Sequence, residues 1–268
     1  RSEGAPQRCG RIALIASPIV VDEDWDWLGA AKAGCSFLLQ GPPGCGKTWR
    51  ARQIVEAVAP MKKVYVISFT NCAVATLRGG PAQYMTLDRF ITRVLHRNLL
   101  VTPCLVLWDE IFFVSTNMLA RMSKLQVHRD VQVIACGDPR QLRAPNDQWK
   151  GAPARRALEG SQMLASLCPT HVHLTTTRRF DAPLEEYCKR IAAGEESVEE
   201  LVARGRAQFR CAGPWDTTIC LTHALRQTIN AKTNAREFRE KNPKQFCKIF
   251  GRDGPMTIWP GQRLIGAG

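Results

Sequence analysis

The chain has 268 residues, with 37 lysines and arginines against 24 aspartates and glutamates and a formal net charge of +13, so it can bury a core and favours a polyanionic partner. No apolar run approaches the ~18 residues needed to cross a bilayer, and the opening Arg-Ser-Glu-Gly-Ala-Pro lacks the apolar centre of a secretion signal. The eleven cysteines include no C-x₂₋₄-C pair, which argues against a zinc module and for thiols kept in a reducing intracellular setting.

Residues 1–34 read as an irregular N-terminal segment, in which Trp25 and Trp27 are expected to pack rather than stack on bases. Gln7 sits in a Gly- and Pro-containing stretch that gives it no context for recognising adenine. Ser36–Gln40 is an apolar run expected to be a buried strand. Gly-Pro-Pro-Gly-Cys-Gly-Lys-Thr follows at 41–48 and fits G-x-x-x-x-G-K-[ST] at each fixed position, with a helix expected over 47–59. Backbone N–H groups of such a loop point at a polyphosphate, which bulky side chains would block, and the helix N-terminus favours the anion. Gly41, Pro42, Pro43, Gly44, Cys45, Gly46, Lys47 and Thr48 are thus the expected ATP-binding residues, with Lys47 on the β/γ-oxygens and Thr48 on Mg²⁺. Cys45 is expected to be accessible beside positive charge, hence oxidisable.

Further strands are expected at 63–68, 104–108, 131–136 and 171–175, and further helices at 71–78, 86–98, 115–126 and 155–167. This alternation predicts an α/β fold, a parallel sheet with helices on both faces. Cys104–Trp108 ends in Asp109-Glu110. At the C-terminal end of a buried strand, Asp109 would hold Mg²⁺ and Glu110 would activate the attacking water, although an isolated Asp-Glu pair is ordinarily a solvated strand end. Val131–Cys136 leads into Gly137-Asp138-Pro139-Arg140-Gln141-Leu142, which by itself reads as a turn. His171 and His173 alternate along a strand and are expected to pack or face solvent. A helix at 182–193, an acidic solvated stretch at 194–200 and a second strand–helix pattern from 217 complete the chain.

In this order the P-loop, the Asp-Glu pair and G-D-x-x-Q-L resemble a superfamily 1 helicase, and most of all the 5′→3′ branch of petite-integration-frequency and RecD relatives in the compact form of large DNA viruses. The resemblance covers about residues 35–268. It implies a RecA-like lobe at 1–177 followed by part of a second at 178–268, with the C-terminal motifs missing. It also implies that Gln141 senses the γ-phosphate. Ser68-Phe69-Thr70-Asn71 resembles the motif that grips a strand backbone. Thr86-Leu87-Asp88-Arg89-Phe90 resembles a Thr-x-His-x-Phe-like phosphate contact, with Asp88 where His is more usual. Thr70, Asn71 and Thr86 are accordingly the implied nucleic-acid contacts, and Phe69 is a core residue before it is a stacking one. Leu174–Arg179 resembles L-x-x-x-x-R, whose arginine reaches the γ-phosphate from the second lobe; Arg179 fits that spacing better than Arg178. Ile219–Asn230 and Met256–Ile265 resemble the strand–helix segment and the following strand of that lobe.

The expected function is therefore an ATP- and Mg²⁺-dependent motor on single-stranded nucleic acid, DNA ahead of RNA, with Lys47, Glu110, Gln141 and Arg179 catalytic. A viral-type superfamily 1 RNA helicase and a non-motor ATP-binding switch are the alternatives. A clamp-loader or AAA+ ATPase is a further one, set back by the G-D-x-x-Q-L motif.

Overall fold

A computed structural model of the chain describes residues 17–128, 130–141, 144, 147–149, 152–153, 158–209, 222–251 and 254–260. Gln7, Leu142, Ile219–Leu221 and the end of the expected strand at 261–265 lie outside the described residues. The chain divides into two compact units, Arg1–Leu201 and Val202–Gly268.

The first unit is built on a seven-stranded sheet. Its strands are β1 (Ile19–Val21), β2 (Phe37–Gln40), β3 (Lys63–Ser68), β4 (Gln83–Thr86), β5 (Cys104–Trp108), β6 (Val131–Gly137) and β9 (Thr170–His173), in spatial order β1-β9-β2-β6-β5-β3-β4. Every pairing in it is parallel. A minimal antiparallel pair, β7 (Gln148–Trp149) and β8 (Ala152–Pro153), stands apart from it.

Side-chain alternation explains the two cores. Tyr65 and Ile67, Val106 and Trp108, and Leu38 face one cluster; Val64 and Val66, Leu105 and Leu107, and Phe37 and Leu39 face the other. Both faces are covered, so these strands read as unbroken apolar runs rather than alternating ones. Helices α1 (Trp27–Lys32) and α2 (Lys47–Val58) cover the second cluster, and α2 buries Ala51, Ile54, Val55 and Val58 at helical spacing. Leu87 and Phe90 of α4 (Leu87–Phe90), Leu119 and Met122 of α5 (Thr116–Met122), and Leu164 and Leu167 of α6 (Gln162–Leu167) fill the first. Helix α3 is Asn71–Leu77. Helix α7 (Ala182–Ala193) starts at an Asp181 cap and stops at Gly194 in the left-handed conformation. Helix α8 is Val198–Gln208.

Several features depart from the sequence expectation, among them the helix expected over 155–167, which among the described residues is a 3₁₀ turn at Leu158–Gly160 followed by α6. The N-terminal segment is not irregular throughout, because it supplies β1, paired Ile19↔Thr170 with β9, and α1, capped by Asp26. Strand β4 was not expected either. Both strands are short edge elements of three or four residues, too brief for an alternation to register. The helix expected over 86–98 is α4 continued by a π-helical turn at Ile91–Leu95.

The second unit contains α9 (His223–Lys241) and the antiparallel hairpin of β10 (Cys247–Gly251) and β11 (Gly254–Ile258). Asn234 joins them: its amide donates to the Thr257 carbonyl at 2.7 Å and accepts from the Thr257 N–H at 3.3 Å. Phe238 meets the rings of Phe246 and Trp259 at 5.0 and 5.7 Å. Among the described residues no helix is long and apolar enough to cross a membrane.

Candidate active site

A parallel sheet places the C-terminal ends of its strands on one edge, and every motif of the first unit begins there. The P-loop follows β2, Thr70 follows β3, Thr86 ends β4, Asp109 follows β5, Asp138 follows β6 and Leu174–Arg179 follows β9.

In the P-loop, Lys47 Nζ donates to the carbonyls of Gly41 at 2.7 Å and Pro42 at 2.9 Å. Gly44 and Gly46 both have φ of 84°, which an L-residue adopts only under strain. A Cβ on Gly41 would collide with the Leu174 carbonyl, and one on Gly44 would stand 2.6 Å from Arg179 Cβ. Gly46 caps the twelve-residue α2 with no side-chain hydrogen bond, so the first-turn N–H groups are left for a ligand. The loop thus fits an anion: a lysine, a helix N-terminus and glycine backbone with no Cβ in the way. Cys45 corrects one expectation. It is buried, with its Sγ 3.7 Å from Lys47 Nζ, because the loop turns that side chain inward against Gly41.

Asp109 is buried and its N–H donates to the Ile67 carbonyl at 2.8 Å. Burial first, then the neighbouring Glu110, pushes its carboxyl up to about 6, against the pull of Lys47. Oxygen donors of this kind, Asp109 with the Thr48 hydroxyl, suit a hard divalent cation. Glu110 sits at φ 57°. For a residue with a Cβ that backbone costs on the order of 1 kcal/mol or more, and strain of this kind clusters at functional sites. Asp138 is buried and accepts from the Arg140 N–H at 3.0 Å, and the Gln141 N–H donates to the Asp138 carbonyl at 3.1 Å. The turn therefore leaves the Gln141 side chain exposed beyond β6.

Arg178 and Arg179 are exposed and belong to the first unit, directly beyond β9. The Arg178 N–H donates to the Gly44 carbonyl at 3.0 Å, which seats this segment on the P-loop. Glu23, which the sequence reading missed, anchors the same segment by accepting from the N–H and hydroxyl groups of Thr175 and Thr176. Those bonds, the Thr176 hydroxyl foremost, hold its carboxyl below the usual range. No local signal marks a partner 152 residues away.

Thr70 and Thr86 cap α3 and α4, their hydroxyls accepting from the N–H groups of Ala73 at 3.1 Å and Arg89 at 3.4 Å. Each hydroxyl accepts through its oxygen there and still carries a hydrogen that can be donated. Ser68 pairs with Thr86 across β3 and β4, which brings the two caps to neighbouring positions on the edge, with Asn71 exposed beside Thr70. Phe69 is half-buried, edge-on to Phe113 at 5.0 Å, and packs on the core.

The family model described as AAA domain matches residues 30–211, most of the described first unit. The chain belongs to this family. The AAA domain chain also shares its fold with Pif1 helicases. The crystal structure of Pif1 helicase from Candida albicans aligns with a TM-score of 0.58 at 16% identity, over 84% of this chain and 57% of that one. A structure of two coordinating Pif1 helicases at forked dsDNA aligns at 0.55 and 17%, over 83% and 58%. Pif1 helicase from Bacteroides, in complex with ADP-AlF3 and ssDNA, aligns at 0.52 and 19%, over 81% and 56%. The chain spans a little over half the length of these proteins. No curated protein sequence matches it. The RecA-like P-loop lobe expected from the motifs is the observed fold.

Proposed function

We propose that this chain is the ATP-hydrolysing part of a motor that moves 5′→3′ along single-stranded DNA. The observation that carries the reading is the convergence of the P-loop, Asp109-Glu110, Asp138–Gln141 and the Thr70/Thr86 pair on one sheet edge. The Bacteroides relative, held with a nucleotide analogue and single-stranded DNA, supports both ligands.

Lys47 would leave the Gly41 and Pro42 carbonyls for the β/γ-oxygens, exchanging two neutral acceptors for charged ones. Mg²⁺, held by Thr48 and Asp109, would neutralise charge developing on the phosphates. Glu110 would take a proton from the attacking water, Gln141 would orient the γ-phosphate and Arg179 would meet its charge in the transition state. Thr70, Asn71 and Thr86 would hold strand phosphates, so nucleotide and strand would meet on the same β3–β5 edge. Residues 202–268, the second compact unit, would contribute to a second lobe. The described cysteines are free thiols, in keeping with a reducing intracellular setting.

The test is ATP turnover with and without single-stranded DNA or RNA, with Lys47→Ala as control. DNA-stimulated turnover that the variant loses is the expected result. Stimulation by RNA alone would favour the RNA helicase, and stimulation by neither would favour a non-motor switch.

A further inference from the structure

Arg50 lies one turn into α2 and folds back over the loop it follows. Its Nη1 donates to the Cys45 carbonyl at 2.9 Å, and its backbone N–H donates to the Gly46 carbonyl at 3.0 Å. The guanidinium carbon stands 5.7 Å from the centre of the Trp27 ring, and Trp27 is in turn edge-on to Trp49 at 6.3 Å. Nε is buried with no hydrogen-bond partner among the described residues. An arginine swung into water would avoid that cost, so the inward pose is held by the carbonyl and the ring.

The consequence follows from peptide geometry. In a trans peptide the C=O and the N–H point in opposite directions. Fixing the Cys45 oxygen on the α2 flank turns the Gly46 N–H the other way, off that flank. Gly46, at φ 84° and without a side-chain cap, has no Cβ to impose that orientation by itself.

We infer that Arg50, covered by Trp27 of α1, is a positioning residue that holds the Cys45–Gly46 peptide with its N–H facing a bound polyphosphate. The inference rests on nucleotide binding at the P-loop. It gives the N-terminal segment a part in that site: α1 supplies the ring that keeps the clamp shut. Preorganised N–H donors bind an anion more tightly than donors that must first be ordered.

The experiment measures dissociation constants for ADP and for inorganic tripolyphosphate in the full chain, alongside the urea midpoint, for wild type, Arg50→Met, Arg50→Lys and Trp27→Leu. Arg50→Met is expected to weaken both probes by the same factor, about tenfold, since the Gly46 N–H that loses its fixed orientation serves phosphate and not base. Arg50→Lys should recover part of the loss through one donor to Cys45, and Trp27→Leu should show a smaller loss. A merely structural Arg50 would lower the urea midpoint and leave the affinity of the folded protein unchanged; that result overturns the inference, as does a loss confined to ADP. Should Arg50→Met fail to fold, the Lys and Leu variants carry the same comparison. If wild type binds neither probe, the nucleotide reading itself fails and the clamp falls with it.

Discussion

The backbone N–H of Arg178 donates to the carbonyl of Gly44 at 3.0 Å, tying the segment beyond β9 to the middle of the P-loop. The approach is close enough that a Cβ on Gly44 would stand 2.6 Å from Arg179 Cβ. Gly46 shares the φ of 84°, yet a Cβ there would meet only the flexible end of Arg50 at 3.4 Å. Both glycines to alanine carry the same backbone strain, and the difference between them isolates the collision. Gly44→Ala should lower stability by about 1–3 kcal/mol more than Gly46→Ala in urea unfolding. Equal losses would show that the arginine segment does not sit on the loop.

Glu110→Gln should keep nucleotide binding and lose turnover by roughly 10²–10⁴-fold, because the amide is isosteric and cannot accept the proton. Binding and steady-state hydrolysis measured side by side check this. Turnover at the wild-type rate would move the base elsewhere on the edge.

Arg179→Ala should impair hydrolysis more than Arg178→Ala, on the order of 10³-fold, with affinity changed less than rate. Arg178 already acts through its backbone, which an alanine retains. The reverse ranking would transfer the role to Arg178, and no effect from either would leave both as surface residues.

Thr70 and Thr86 each cap a helix, so alanine would confound folding with binding. Thr70→Asp and Thr86→Asp keep the cap and add a negative charge. Each should weaken single-strand binding in fluorescence anisotropy while the unfolding midpoint holds. Wild-type affinity should fall steeply across a salt series, since phosphate contacts release counterions. Variants that bind as well as wild type would remove these residues from the interface.

His171 is buried on β9 with Nε2 unpartnered among the described residues, and burial first, then His173, pulls its pKa below 6.5. Below about pH 6.5 the unfolded chain takes up a proton that the folded chain refuses until the lower pKa is reached, so stability falls as pH drops through that window. His171→Gln does not titrate. Its urea midpoint should change less between pH 7.5 and 5.5 than that of wild type, and parallel curves would show that His171 is not the group responsible.

The P-loop octet, the Asp-Glu pair and the strand–helix alternation were legible in the chain because each is local. An apolar run, a turn and a helix start within a dozen residues carry their own spacing. The same holds for Thr70 and Thr86, whose place at helix starts is a property of their neighbours in sequence. Other features needed the folded chain. The seat of Arg178 on Gly44, the grip of Glu23 on Thr175 and Thr176 and the cover of Trp27 over Arg50 join parts that no motif links. They exist because β9 lies between β1 and β2, a spatial order that crossovers, not local propensity, determine. The chemistry of this edge was thus written in short motifs, while the contacts that hold the motifs in place were decided by which strands became neighbours.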